Sequence, residues 1–213
     1  MENSHAETEK RSRLTSKGKE TRARIVAAAA ELMFDRGVAG TSVEDVQKAA
    51  KVSASQLYHY FKEKRELVLA VIAYQTEAVL QAQQQLLEEL DSFEALRAWC
   101  DAIIELQRMR QCKGGCPIGS LASELSEQEP EARVELAEGF ARWERSIRTG
   151  LRSMQERGEL AAEADPDRLA LGLLASLQGG LLLTQVRRDT EPLRAALDMA
   201  FNYIRSFAAG VRD

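Results

Sequence analysis

Residues 41–64, TSVEDVQKAAKVSASQLYHYFKEK, read as two short capped helices separated by a tight turn. Thr41-x-x-Glu44 and Ser53-x-x-Gln56 both carry capping-box spacing. In that motif the Ser or Thr oxygen accepts the third helical N–H, and the Glu or Gln reaches back to the cap's amide. Val52 and Leu57 flank the second cap where a hydrophobic staple fixes the angle of chain entry. Ala49-Ala50-Lys51 is small enough for close packing of the two helices. The second helix then presents Ala54, Ser55, Gln56, Tyr58, His59 and Tyr60 beside Lys62 and Lys64. Such a row of hydroxyl, amide, imidazole and ammonium groups on a helix-turn-helix suits a DNA major groove.

The rest of the chain fits an all-α protein. Ala, Leu, Glu, Arg and Gln dominate, aromatic residues make up 6%, and β-branched runs are short. The net charge of −4 is unequally divided. Residues 1–65 hold 13 Lys/Arg against 9 Asp/Glu, a net of +4, and residues 66–213 hold 16 against 24, a net of −8. That segregation attracts phosphate at one end and repels nucleic acid from the other. Residues 1–18 are expected to form a flexible basic arm, 19–65 the DNA-binding domain, and 66–213 a helical effector-binding and dimerisation domain. The polar start, MENSHAETEKRSRLTSKGKE, has no apolar core of the kind a signal peptide needs. No apolar stretch stands out as membrane-spanning, so a cytoplasmic protein with reduced cysteines and no membrane partner is expected.

Periodicity places a first helix over about 19–36, with Ile25, Ala28, Ala29 and Leu32 inward and Gly37 as its stop. A rod-like helix is expected from about Glu63 to Leu90, with Leu67, Val71, Tyr74, Ala78 and Leu86 inward. A further helix over 93–111 carries Leu96, Trp99, Ile103 and Leu106, and Lys113-Gly114-Gly115-Cys116-Pro117 then breaks the pattern. Helices over 118–124 and 131–157 follow, the second ended by Gly158. Asp165-Pro166 and Pro192 mark the starts of the last two. In the final helix Leu193, Leu197, Phe201, Ile204 and Phe207 form one stripe.

The segment Val52-Ser53, Leu57-Tyr58-His59-Tyr60-Phe61 and Lys64 resembles the DNA-binding head of TetR/AcrR-type one-component regulators. Two positions depart from the usual pattern: Lys51 stands for a turn Gly, and Gln47 for a small residue. A left-handed Lys51 would carry strain of about 1 kcal/mol that Gly avoids. The resemblance implies phosphate contacts from Thr41 or Ser42, Ser53, Tyr58, His59 and Lys64, and base-edge contacts from Ala54, Ser55 and Gln56. Gln56 has two candidate uses, as capping-box acceptor or as a reader of adenine. The resemblance also implies that the last two helices form a four-helix bundle with a twin subunit. Gly172, Ser176 and Gly180, with Leu193, Leu197, Phe201 and Ile204, are the interface candidates. A twofold dimer reads an inverted-repeat operator on double-stranded DNA.

The resemblance further places an effector pocket for a small molecule within residues 93–190. Trp99, Ile103, Phe140 and Trp143 could wall it or be plain core, and Gln178 needs a polar partner in an apolar helix. The stretch Cys112-Lys113-Gly114-Gly115-Cys116-Pro117-Ile118-Gly119 is similar to a Gly-Cys-(Pro/Leu)-x-Gly segment of a branch in which some members respond to electrophiles or oxidants. Cys116 near a helix start would have a lowered thiol pKa, and the glycines would let Cys112 approach it. The bland alternative is a small buried apolar residue.

No metal site and no cofactor is expected, because His5 and His59 are remote and no second cysteine pair exists. Two other classes remain for comparison. An enzyme in the helical domain is disfavoured because residues 66–213 contain no His and no nucleotide-type Gly loop. A non-specific architectural DNA binder should be more basic throughout. The reading that results is a homodimeric, effector-released repressor.

Overall fold

The caps decide where the helices begin and end in the computed structural model, which describes residues 15–210. Ten helices lie in that range: α1 (Ser16–Arg36), α2 (Val43–Ala50), α3 (Ala54–Tyr60), α4 (Lys64–Gln81), α5 (Gln84–Glu88), α6 (Phe93–Met109), α7 (Pro117–Leu125), α8 (Pro130–Glu156), α9 (Pro166–Arg187) and α10 (Glu191–Arg205). No strand occurs among the described residues, only one isolated bridge between Leu160 and Ala208. The all-α expectation therefore holds. Two compact units are present, residues 1–71 and 72–213, and α4 runs through the division. Residues 1–14 of the expected basic arm lie outside the described range, while Ser16, Lys17 and Gly18 already form the first turn of α1.

In the first unit, α1 buries Ile25, Val26, Ala29, Ala30 and Met33 and packs on α2. The inner stripe thus leans toward Val26 and Met33 rather than Ala28 and Leu32, which are half-buried. Arg24 Nε donates to the Ala50 carbonyl at 2.9 Å, tying α1 to the last turn of α2. Gly37 ends α1 with φ 76°.

The rod expected over 63–90 breaks at residues 82–83. Gln83 is the physical cause. Its Nε2 donates to the Val79 carbonyl at 2.9 Å, and its Oε1 accepts from the Trp99 indole at 2.9 Å. A side chain that satisfies a helix carbonyl competes with the backbone amide that would continue the helix. Tyr74, expected inward, is 44% exposed, and Val68 and Ile72 are buried beside Leu67 and Val71.

In the second unit α9 packs mainly on α10 and α8, α6 on α10, and α7 on α8. Asp165 caps α9 by accepting the amides of Asp167 and Arg168 at 3.1 and 3.2 Å. The start of α10 is tied differently, because Thr190 gives no side-chain cap. The buried Thr184 hydroxyl of α9 accepts the Leu193 amide instead, at 3.1 Å. Gly180 permits this approach: a methyl there would lie 3.0 Å from Leu193 Cα.

Helix α9 is long and apolar enough to cross a membrane by length and composition alone, contrary to the expectation of no membrane-spanning stretch. Its two faces account for that apolarity. One buries Leu169, Leu173, Leu174, Leu177 and Leu181, and the other exposes Leu171, Leu182, Leu183 and Val186.

Gly150 of α8 faces the Leu90 carbonyl, which would lie 2.3 Å from an added methyl. Gly150→Ala should destabilise the second unit by about 1–3 kcal/mol, the usual range for overpacking. Urea denaturation measures it, and a change below about 0.5 kcal/mol would show that this contact can relax freely.

Candidate nucleic-acid interface and effector cavity

Helix α3, seven residues long, is held by its caps rather than by its own length. The Ser53 amide donates to Gln56 Oε1 at 2.9 Å, and the Gln56 amide donates to Ser53 Oγ at 3.2 Å. Of the two uses considered for Gln56, the capping-box one is made here, which engages its oxygen and leaves the carboxamide nitrogen for other contacts. Leu57 and Phe61 are buried, and Arg22 stacks its guanidinium over the Phe61 ring at 5.0 Å. Ser53, Ala54, Ser55, Gln56, Tyr58, His59 and Lys62 all lie exposed, so the row read from the sequence forms an open surface. His59 and Tyr60 meet edge to face at 5.0 Å.

The cap of α2 differs by one residue from the Thr41-x-x-Glu44 box read in the sequence. Ser42 and Asp45 form it: the Asp45 amide donates to Ser42 Oγ, and the Ser42 amide and hydroxyl donate to Asp45 Oδ2. Those bonds from Ser42 hold the Asp45 carboxyl below its ordinary value. Thr41 turns inward instead, 1% exposed, and its hydroxyl donates to the Gly37 carbonyl at 2.8 Å. Of the pair offered for a phosphate contact, Ser42 is the accessible one. Lys64 is also partly committed, since its ammonium donates to the Val38 carbonyl at 2.6 Å and the residue is half-buried.

Lys51 closes the turn in the left-handed region, with φ 51° and ψ 50°. Its amide bonds back to Lys48 and the Val52 amide to Gln47, which satisfies the last carbonyls of α2.

In the second unit the effector candidates separate into three groups. Ile103, Cys116 and Trp143 line a cavity of 180 Å³, with Ala78, Val79 and Leu86 among its apolar walls. Cys116, Phe140 and Gln178 line a neighbouring, more open cleft. Trp99 and Cys112 line neither; Trp99 is fully buried core, bonded to Gln83. Among the buried side-chain atoms of this unit, Gln107 Oε1, Trp143 Nε1, Gln178 Nε2 and Thr76 Oγ1 have no hydrogen-bond partner. Gln107 was not singled out in the sequence, although it falls on the apolar stripe of α6, three residues after Ile104 and four after Ile103.

Cys116 is the N-cap of α7, its Sγ accepting the Gly119 amide at 3.4 Å. Burial nevertheless pushes its thiol up, outweighing the hydrogen bonds that favour thiolate. The lowered pKa expected from the helix start is therefore overturned, because desolvation exceeds the dipole. Cys112 and Cys116 are both free and buried. Cys112 sits at φ 55°, its carbonyl held by the Arg188 guanidinium at 2.9 Å. Burial also pushes the Cys100 thiol up, to about 12.

The expected dimer residues are mostly internal. Gly180, Leu193, Leu197, Phe201 and Ile204 are buried within the subunit, because α9 and α10 pack on each other through them. Gly172 is exposed and Ser176 half-buried on the outer side, where Leu182, Leu183, Val186, Met199 and Tyr203 are also exposed.

Comparison with known proteins accords with this geometry. Residues 25–71 match the family described as bacterial regulatory proteins, tetR family, and residues 92–200 match the tetracyclin repressor-like C-terminal domain. The HTH-type transcriptional repressor DhaR of Mycobacterium sp. GP1 is 29% identical over 84% of this chain and 90% of its own. The transcriptional regulator AcuR of Cereibacter sphaeroides is 28% identical over 80% and 79%. A TetR transcriptional regulator from Chloroflexus aurantiacus superposes with a TM-score of 0.76 at 29% identity, covering 92% of this chain and 99% of that one.

Lys51→Gly should stabilise the first unit by about 0.5–1 kcal/mol, the left-handed strain removed less the entropy that Gly adds to the unfolded chain. A thermal melt reads it, and a lowered Tm would mean the Lys51 side chain contributes more than its strain costs.

Proposed function

We propose, for a chain that belongs to the TetR family of bacterial transcriptional regulators, that it is a homodimeric repressor binding an inverted-repeat operator and released by a small molecule. The family and its named relatives are DNA-binding transcriptional regulators rather than enzymes. The carrying observation is the exposed row Ala54, Ser55, Gln56, Tyr58 and His59 on α3, with its cap Ser53 and the following Lys62, opposite the buried Leu57 and Phe61. Hydroxyls and ammonium groups hold phosphates and set register, while Ala54, Ser55 and the Gln56 nitrogen face base edges. Ser42 supplies a further phosphate contact. Lys64 serves chiefly to fix α4 against the Val38 carbonyl.

Repression is supported by the relative from Mycobacterium, which is named a repressor. Dimerisation is supported by the outer faces of α9 and α10, where Leu171, Leu182, Leu183, Val186, Met199 and Tyr203 stand exposed. An apolar patch of this kind usually marks an interface. Gly172 and Ser176 border it; the buried stripe of α10 holds that helix in place from behind.

The effector reading rests on α4, whose first turns belong to the first unit and whose later turns, at Gln75, Ala78 and Val79, wall the cavity of the second. A ligand that releases DNA must favour the DNA-incompetent arrangement, since equal affinity for both shifts nothing.

Titration against the DNA flanking the protein's own gene, with excess competitor, tests the reading. Selective binding should weaken steeply with salt. Tyr58→Ala should weaken matched and mismatched sites alike, while Ser55→Ala and Gln56→Ala change the preference between them. A uniform loss in all three variants would sink the assignment of roles. Val186→Asp should convert the dimer to monomer in sedimentation velocity; an unchanged dimer would place the interface elsewhere.

A further inference from the structure

We infer that the 180 Å³ cavity takes an uncharged ligand of about one six-membered ring that carries a hydroxyl, such as a phenol. This deepens the effector reading above and rests on it. Size sets the first limit: a dry apolar cavity of about 150 Å³ holds benzene, and this one measures 180 Å³.

The walls set the second. They are mostly aliphatic, from Ala78, Val79, Leu86, Ile103, Leu106 and Leu181. Arg110, the one charged side chain among them, is exposed. A carboxylate carried inside would lose hydration that these walls do not replace.

The third limit is the pair of unmet polar atoms on lining residues. Trp143 is 3% exposed and its Nε1–H has no acceptor; Gln107 is 3% exposed and its Oε1 has no donor. A buried donor or acceptor left unmet destabilises the site, so a ligand that meets it gains affinity. One is a donor and the other an acceptor, so a hydroxyl, which donates once and accepts as well, complements both. A hydrocarbon serves neither, and an ether or ketone serves only the indole. Among the other carboxamides of the wall, Gln83 is already committed to Val79 and Trp99. Both atoms lie buried behind the cavity surface, and the proposed binding requires that the indole edge and the carboxamide turn toward the ligand.

The test is calorimetric titration of the DNA-free protein with 4-ethylphenol, ethylbenzene and 4-ethylbenzoate. The phenol should bind about tenfold or more tighter than the hydrocarbon, the range set by one or two hydrogen bonds made in place of unmet groups. Trp143→Phe and Gln107→Leu should each cost the phenol about tenfold and leave ethylbenzene unchanged. As a check independent of variant folding, the Trp143 indole N–H resonance, identified by its absence from Trp143→Phe, should shift with the phenol and not with ethylbenzene. Equal affinity for phenol and hydrocarbon, tighter binding of the benzoate, or no binding of the phenol overturns the inference. Selective DNA binding is measured apart from these titrations, so its absence would strike the regulator reading while the ligand result stands by itself.

Discussion

Helices of eight and seven residues do not persist alone, and the whole first unit depends on tying the ends of α2 and α3. Two capping boxes satisfy their leading amides, and a left-handed Lys51 folds the chain back to satisfy the trailing carbonyls of α2. Only with those ends closed can Leu57 and Phe61 be buried together. The opposite face of α3 is then left entirely to polar groups. Gln56 serves the stability of α3 directly, its side-chain oxygen closing the cap while its carboxamide nitrogen stays open.

The second unit solves another problem, how to pack a helix that is apolar nearly all round. Close approach at Gly180 and the Thr184 bond to Leu193 commit one face of α9 to α10. The remaining apolar face keeps Leu171, Leu182, Leu183 and Val186 exposed. The cavity lies under α4, α6, α8 and the loop before α7, so its walls come from elements far apart in sequence.

Cys116 shows how burial can reverse a local expectation. Its place before Pro117 at the start of α7 is the one the sequence indicates, and the helix amide does reach its sulfur. The environment nonetheless holds the thiol protonated, because removing a thiolate from water costs more than one helix end returns.

The sequence alone determined the helical class, the helix-turn-helix head, the exposed polar residues of α3 and the starts of α7, α9 and α10. Those depend on neighbours within about four residues: caps, prolines, glycines and apolar spacing. Tertiary structure decided the rest. It chose Ser42 over Thr41 as the cap by burying Thr41, broke the rod at Gln83 by offering its side chain the Trp99 indole, and moved Leu193, Leu197, Phe201 and Ile204 from a supposed interface to the core. It also set Gln107 and Trp143 around one cavity, residues 36 positions apart that no periodicity connects. Such outcomes turn on which surfaces meet across long stretches of chain, and local spacing carries no record of that.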